Sequence, residues 1–186
     1  GRSSHVDIVA ELIAVVSRAT GTADRVEILA DDLNALGAES LFLGGTRTFS
    51  ETALQVDLQA LELTLDEDVV IRVPELLLGA LVRVSADDQV SLSGDAAPGG
   101  VVRIGAGAVL SAPGSITIDG SSDVFIDGLL SAGGGSVSLN TSLISVGAVP
   151  GGTGGLVIDN LDAFDAQELE LASASTIDFY GSLASA

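Results

Sequence analysis

The chain has 186 residues, a net charge of −19 and a pI near 4.1, with seven Arg and no Lys, Cys, Met or Trp. That balance argues against nucleic acid and anionic lipid, whose phosphates are gripped by clustered Lys and Arg; without Cys there is neither a disulfide framework nor a thiolate site. No stretch reaches the roughly 18 uninterrupted apolar residues of a membrane span, because the longest candidate, Val69 to Val84, is broken by Arg72, Pro74, Glu75 and Arg83.

Aromatics are only 3% of the chain, so a core must be built from Val, Ile, Leu and Ala. The first segment, His5 to Arg18, is ambiguous. Val6, Val9, Ile13 and Val16 fall at helical spacing, whereas Val6-Asp7-Ile8 alternates like a strand. Val6-Asp7-Ile8-Val9-Ala10 is echoed by Val26-Glu27-Ile28-Leu29-Ala30, Val56-Asp57-Leu58-Gln59-Ala60 and, loosely, Val82-Arg83-Val84-Ser85-Ala86. Recurrence of one pattern outweighs the local period of a single copy, and strand is the reading. Gly1 to Thr20 lacks the basic start and small-residue cleavage pattern of a signal peptide.

Ala30 to Phe49 departs from the pattern. Asp32 caps a single helical turn or shapes a loop, and the step from Val26 to Val56 is longer than its neighbours, so an excursion is expected within Asp31 to Ala53. Between 54 and 92 a crowd of short strands is expected: Gln55 to Leu58, Leu61 to Leu65, Val69 to Val73, Leu76 to Leu78, Leu81 to Val84 and Val90 to Leu92. Asp66-Glu67-Asp68, Pro74-Glu75 and Asp87-Asp88 separate them as turn signals.

From Val101 to Asn160 short apolar strands return between Gly-rich corners. Val101-Val102-Arg103-Ile104-Gly105, Ser115-Ile116-Thr117-Ile118-Asp119-Gly120, Ser136-Val137-Ser138-Leu139-Asn140 and Gly155-Leu156-Val157-Ile158-Asp159-Asn160 each hold an apolar, polar, apolar triplet closed by Gly, Asp or Asn. Alternation puts both apolar side chains on one face, and the closing residue suits the positive φ of a sharp corner. Val102, Ile116, Val137, Leu156 and Ile177 follow one another at a step of roughly twenty residues, the first step being shorter, which lies in the range of stacked repeats. The fold class expected is all-β, a parallel β-helix solenoid of about nine coils with one or more loop excursions. Asp95 to Gly100, Gly133 to Gly135 and Val149 to Gly155 are the loosest points, yet the repeat resumes after each. Residues 1–186 are therefore taken as one β-helical segment. Glu168 to Leu171 and Thr176 to Gly181 restore the pattern with no polar cap at either terminus, and Gly1 stands where a Met would begin a chain. Both suggest an excerpt of a longer fibre.

The segment Leu36-Gly37-Ala38-Glu39-Ser40-Leu41-Phe42-Leu43-Gly44-Gly45-Thr46-Arg47, followed by Val-acid-aliphatic ladders, resembles the large exoproteins of filamentous haemagglutinin type, exported by two-partner secretion. The resemblance implies a right-handed β-helical fibre that is secreted to the bacterial cell surface. It further implies an outer-membrane transporter as partner in export, and a surface receptor or glycan as partner in adhesion and cell-to-cell contact. It transfers no adhesive residue onto this chain. The family's secretion domain is missing from this stretch.

No catalytic, cofactor-binding or metal-ligating residue is assigned, and no cofactor. Ile118-Asp119, Ile126-Asp127 and Ile158-Asp159 raise the idea of paired carboxylates on neighbouring strands, about 5 Å apart, as in carbohydrate-active β-helix enzymes. The corner role of each Asp is preferred because Asp119-Gly120 and Asp127-Gly128 are turn dipeptides. A groove of Asp with Arg72, Arg83 or Arg103 would favour the enzyme. Calcium at the acidic loops Asp31-Asp32, Asp66-Glu67-Asp68 and Asp87-Asp88 is a minor alternative to solvated turns, since none has EF-hand or nonapeptide spacing. His5, the only histidine, is expected to be exposed. Asn140-Thr141-Ser142 matches a glycosylation sequon but is read as a corner, and the glycine runs as loops. A last alternative is an antiparallel, carbohydrate-binding β-sandwich, for which the two Asp-Gly dipeptides would serve as hairpin turns.

Overall fold

The structure, a computed structural model, describes residues 4–50, 54–81, 100–147 and 155–181. The expected strands at Leu81 to Val84 and Val90 to Leu92, the turn Asp87-Asp88 and most of the loose points Asp95 to Gly100 and Val149 to Gly155 lie outside the described residues or run beyond them.

The described chain is all-β apart from one short helix and a 3-10 turn. In order it comprises β1 (His5–Ile8), β2 (Leu12–Val16), β3 (Val26–Leu29), α1 (Ala30–Ala35), β4 (Ser40–Leu43), β5 (Gly45–Phe49) and β6 (Leu54–Leu58). Then follow β7 (Glu62–Leu65), β8 (Val70–Arg72), β9 (Glu75–Ala80), β10 (Val101–Ile104), β11 (Val109–Ser111), β12 (Ser115–Gly120), β13 (Asp123–Ile126) and β14 (Leu129–Ser131). Last come β15 (Ser136–Gly147), β16 (Leu156–Ile158), the 3-10 turn Leu161–Ala163, β17 (Phe164–Asp165) and β18 (Glu168–Tyr180). His5 to Arg18 thus contains two strands. The break at residues 9–11 separates them, and this is what made the combined apolar spacing look helical.

Three parallel sheets hold nearly all of these strands. A large sheet runs β1-β4-β9-β12-β15-β16, with β18 also on β15; a five-stranded sheet runs β13-β10-β7-β2-β3, and a four-stranded sheet runs β17-β14-β11-β8. From β7 onward the chain visits them in rotation: β7, β10 and β13 in the five-stranded sheet, β8, β11 and β14 in the four-stranded sheet, β9, β12 and β15 in the large sheet. Parallel neighbours need a crossover connection, and here the crossover is made by one strand in each of the other two sheets. The parallel pairing of β12 with β15 rules out consecutive hairpins there, and with them the antiparallel sandwich.

Register explains why each strand alternates. Leu41, Leu76, Ile116, Val137 and Leu169 occupy one column of the large sheet, and Leu43, Leu78, Ile118, Leu139 and Leu171 the next. The five-stranded sheet stacks Ile13, Leu63, Val102 and Val124, while the four-stranded sheet stacks Ile71, Leu110, Leu130 and Phe164. Most of these side chains are fully buried in one contiguous core that extends from Ile13 to Ile158. A buried Leu or Ile contributes about 1.5–3 kcal/mol relative to exposure. Each extra level therefore adds several such residues without adding a new kind of contact.

The spacing of levels differs from the sequence expectation. Within the first column only the step from Ile116 to Val137 keeps the unit of about twenty residues; the steps from Leu41 to Leu76, Leu76 to Ile116 and Val137 to Leu169 are each half as long again or more. Val102 lies in another sheet from Ile116, and Leu156 and Ile177 both pair with Ile144. The large sheet has six levels among the described residues, β1, β4, β9, β12, β15 and β18, rather than nine, because other turns carry insertions. The Val-acid-aliphatic echoes mark no single register either. Val6 belongs to the large sheet, Val26 to the five-stranded sheet and Val56 to a hairpin.

That hairpin, β5 with β6, is the excursion expected within Asp31 to Ala53, and it continues beyond that stretch to Leu58. It folds over the outer face of the large sheet and covers Phe42, which is 1% exposed. Gly44 takes φ +98°, and a Cβ there would overlap the carbonyl oxygen of Gly79 in β9. Arg47 then anchors the hairpin: its Nε donates to Asp7 Oδ1 at 2.8 Å and its backbone N–H to Asp7 Oδ2 at 2.7 Å. The Arg47 side chain is 3% exposed. Leaving one such charge buried without its partner costs on the order of 3 kcal/mol.

α1 takes the place of a strand beside β8. Asn34 Nδ2 donates to the Val70 carbonyl at 2.9 Å and Asn34 Oδ1 accepts from the Arg72 backbone N–H at 2.8 Å. One side-chain amide thus satisfies the edge of β8 as a neighbouring strand would. Capping by Asp32 is not seen; Asp31 and Asp32 lie in the first turn of α1, behind Leu29 at the N-cap. This edge of the four-stranded sheet therefore carries a polar covering that the strand pattern did not announce.

Replacing Leu139 with Ala is expected to lower unfolding free energy by about 2–5 kcal/mol through a core cavity, read as a reduced urea midpoint. Thr117→Ala, on the outer face of the adjacent strand, should stay within about 0.5 kcal/mol. Arg47→Ala should fall near Leu139→Ala and far from Thr117→Ala.

Candidate binding groove

One face of the five-stranded sheet carries a transverse row of side chains in register: Glu27, Ala14, Thr64, Arg103 and Phe125. They lie on the outer face because Val15, Leu65 and Ile104, one residue along, are buried in the core on the inner one. Around Thr64, Arg103 and Phe125 lies an open groove of about 630 Å³, walled by Arg18 and Thr20 at one side and by Asp66, Glu67 and Asp127 at the strand ends. Beyond Phe125 a further depression of about 250 Å³ is lined by Asp123, Val157 and Asp159. Phe125 and Asp127 line both, so the two adjoin at β13, the outer strand of the sheet, and together make a trough across the strands.

Arg103 stacks its guanidinium 4.1 Å from the Phe125 ring centroid. Such an arrangement holds the cation flat and leaves its N–H groups along the ring edge free to donate. Of the described arginines, Arg25 is paired with Asp24 and Arg47 with Asp7. Arg18 and Arg103 have no ion-pair partner among the described residues, although the chain carries a net charge of −19. Arg72, on β8, is likewise without an ion pair among the described residues, so the trough gathers two of the three described arginines that lack one.

The Thr20 wall is held by a single carboxylate. Glu27 accepts from the Thr20 hydroxyl and from the backbone N–H groups of Thr20 at 2.8 Å, Gly21 at 2.9 Å and Thr22 at 3.3 Å. These bonds, led by the Thr20 hydroxyl, lower its pKa from 4.5 to about 2. Glu27 comes from β3 and the loop from the chain just before it, so the wall is tied to the edge of the sheet.

The three Ile-Asp dipeptides fare differently. Asp127 and Asp159 line one cavity beside Gly128 and Phe164. Asp119 lies apart, inside β12, where Asn140 Nδ2 donates to its Oδ2 at 3.1 Å; burial pushes its pKa up, partly offset by that bond. Neither Asp119 nor Asn140 is a corner. Both continue their strands, and among the described residues only Asp68, at φ 59°, is a non-glycine with positive φ. Their in-register positions make the polar side chains a ladder rather than a turn. Asp127-Gly128 joins β13 to β14 in a different sheet, so no hairpin forms there either.

Among the described residues no group of three or more His, Cys, Asp or Glu converges as a metal site. Asp66-Glu67-Asp68 forms the corner between β7 and β8, with the Asp68 carboxylate against Gly107, while Asp87-Asp88 is outside the described residues. His5 is exposed, its ring 5.1 Å from Phe49. Arg72 is remote from the trough, on β8, and Arg83 lies outside the described residues. Sequence reasoning named Arg103 and Asp127 separately but missed the trough. Its row is set by the register of strands well separated along the chain, which no local motif encodes.

No protein-family model, no curated protein and no solved structure matches this chain.

A carboxylate whose pKa falls on folding stabilises the folded wall above its unfolded value and loses that contribution as pH falls toward the folded value. Titration of the Glu27 side chain by carbon-detected NMR should give a midpoint near 2. Between pH 4.5 and 2 the amides of Thr20, Gly21 and Thr22 should lose protection from hydrogen exchange. A midpoint near 4.5 would show that the wall is not held this way.

Proposed function

We propose that this chain is a right-handed parallel β-helical segment of a secreted bacterial surface exoprotein, serving adhesion and cell-to-cell contact rather than catalysis. The observation that carries the reading is the rotation of the chain through three parallel sheets with aliphatic columns in register. Parallel sheets ordinarily have both faces covered; in a coil, each sheet covers the inner face of the others and leaves the outer face free. Such a stack is stiff along its axis and varies its exterior without disturbing its core. Among the described residues β18 pairs on one side only, with β15, and Leu169, Leu171 and Ile177 are part-exposed beside the core, so its outer edge is available for a further strand. In this reading the hairpin and the trough are the exterior features available for contact. Acidity keeps neighbouring fibres apart, and export through an outer-membrane partner to the cell surface follows from the likeness to filamentous haemagglutinin-type exoproteins.

A carbohydrate-active enzyme is the second reading, favoured by one observation: Asp66, Glu67, Asp127 and Arg103 face the same trough. The two separate experimentally. Beads coated with the chain should be retained on bacterial or epithelial cell layers several-fold above beads coated with an inert acidic protein, and incubation with polysaccharides should release no reducing ends. Equal retention, or release of reducing ends, would contradict the adhesive role.

A further inference from the structure

We infer that the trough across the five-stranded sheet is a binding site for a neutral linear glycan, with Arg103 and Phe125 as its centre. The inference deepens the adhesive reading by naming the chemical class held at the surface.

Shape argues first. The trough runs across strands, along the direction in which levels repeat at about 4.8 Å, and it continues past Phe125 into the depression lined by Val157 and Asp159. A compact ligand would be enclosed on several sides; an open, periodic channel suits a chain of similar units. Chemistry argues next. Phe125 is 40% exposed and offers apolar area to the C–H face of a sugar, while Arg103 beside it donates in a fixed plane. Asp66, Glu67 and Asp127 supply acceptors for hydroxyl pairs, and Arg18 with Thr20 adds donors toward the β2 end of the row. Sugar hydroxyls need both kinds of partner.

Charge selects among polymers. The trough balances Arg18 and Arg103 against Asp66, Glu67 and Asp127, with Asp123 and Asp159 further along. Its net sign is negative, as is the chain's net charge of −19. A uronate or sulfated chain would be repelled, and so would an acidic peptide. An extended peptide could add a strand only at β13, the outer strand that carries Phe125, and would then run parallel to the strands instead of along the row; Thr64 and Arg103 lie in the interior of the sheet, where both neighbours are already paired.

The test uses ¹⁵N-labelled protein and six probes: hexasaccharides of β-1,4-glucose, β-1,3-glucose, β-1,4-mannose, α-1,4-glucose and α-1,4-galacturonate, and a basic hexapeptide. At least one neutral hexasaccharide should shift the amides of Thr64, Arg103, Phe125 and Asp127 saturably. Phe125→Ala and Arg103→Gln should each weaken that binding tenfold or more, while Thr117→Ala on the large sheet leaves it unchanged. A spectrum otherwise like the parent's shows that each variant is folded. Absence of saturable shifts with every neutral hexasaccharide overturns the inference, as does tighter binding of the galacturonate or the peptide, or shifts confined to another face. Failure here would leave cell retention of coated beads untouched, so the glycan site and the adhesive role fall separately.

Discussion

Everything in this molecule depends on parallel pairing in register, which β15 and β18 recover after one shift between Thr141 and Leu143. Because Ile118 sits opposite Leu139 and Leu78, and Ile116 opposite Val137 and Leu76, a side chain that points inward has an inward neighbour on each adjoining level. A slip of one residue would turn the whole buried set of a strand toward water. The same constraint fixes the exterior. Once the inward residues are aligned, Thr64, Arg103 and Phe125 are aligned too, and the trough is a by-product of the core.

What the core does not constrain is the length of chain between levels. The step from Leu76 to Ile116 is nearly twice that from Ile116 to Val137, and between Leu41 and Leu76 the surplus chain forms most of the hairpin β5–β6. Loop closure grows only slowly with length, so such excursions add little cost if they are tethered. Here the Arg47–Asp7 pair and the buried Phe42 ring supply the tether. Elsewhere Asn34 answers the edge of β8 with one side-chain amide. Variation is thereby kept at corners and outer faces while the columns remain intact.

Much of this was legible in the sequence. The triplets Ile116-Thr117-Ile118 and Val137-Ser138-Leu139 carry the alternation that register later uses, and their parallel pairing agrees with their spacing along the chain. The segment Leu36 to Arg47, singled out for its resemblance, has a structural part of its own: Leu41 and Leu43 face in, Phe42 faces out under the hairpin, Gly44 turns where no Cβ fits, and Arg47 holds Asp7. The count of levels was not legible, because insertions of no fixed length break the period. Nor was the role of Asp119 and Asn140, which share the composition of corner residues yet extend their strands through a side-chain bond to each other. The trough was hidden for a third reason: Arg18, Thr64, Arg103 and Phe125 come from four separate strands or strand ends, and only the pairing of those strands makes them neighbours.

The most direct test of the stack is a methyl NOE experiment on protein labelled at Ile, Leu and Val. Cross-peaks should link Leu78 to Ile118 and Ile118 to Leu139, with Leu76, Ile116 and Val137 linked in the same way one position pair along. Cross-peaks that instead join Ile118 to residues of β15 in reversed order, or displaced from Leu139 by one residue, would contradict the parallel in-register columns and the stacked architecture built on them.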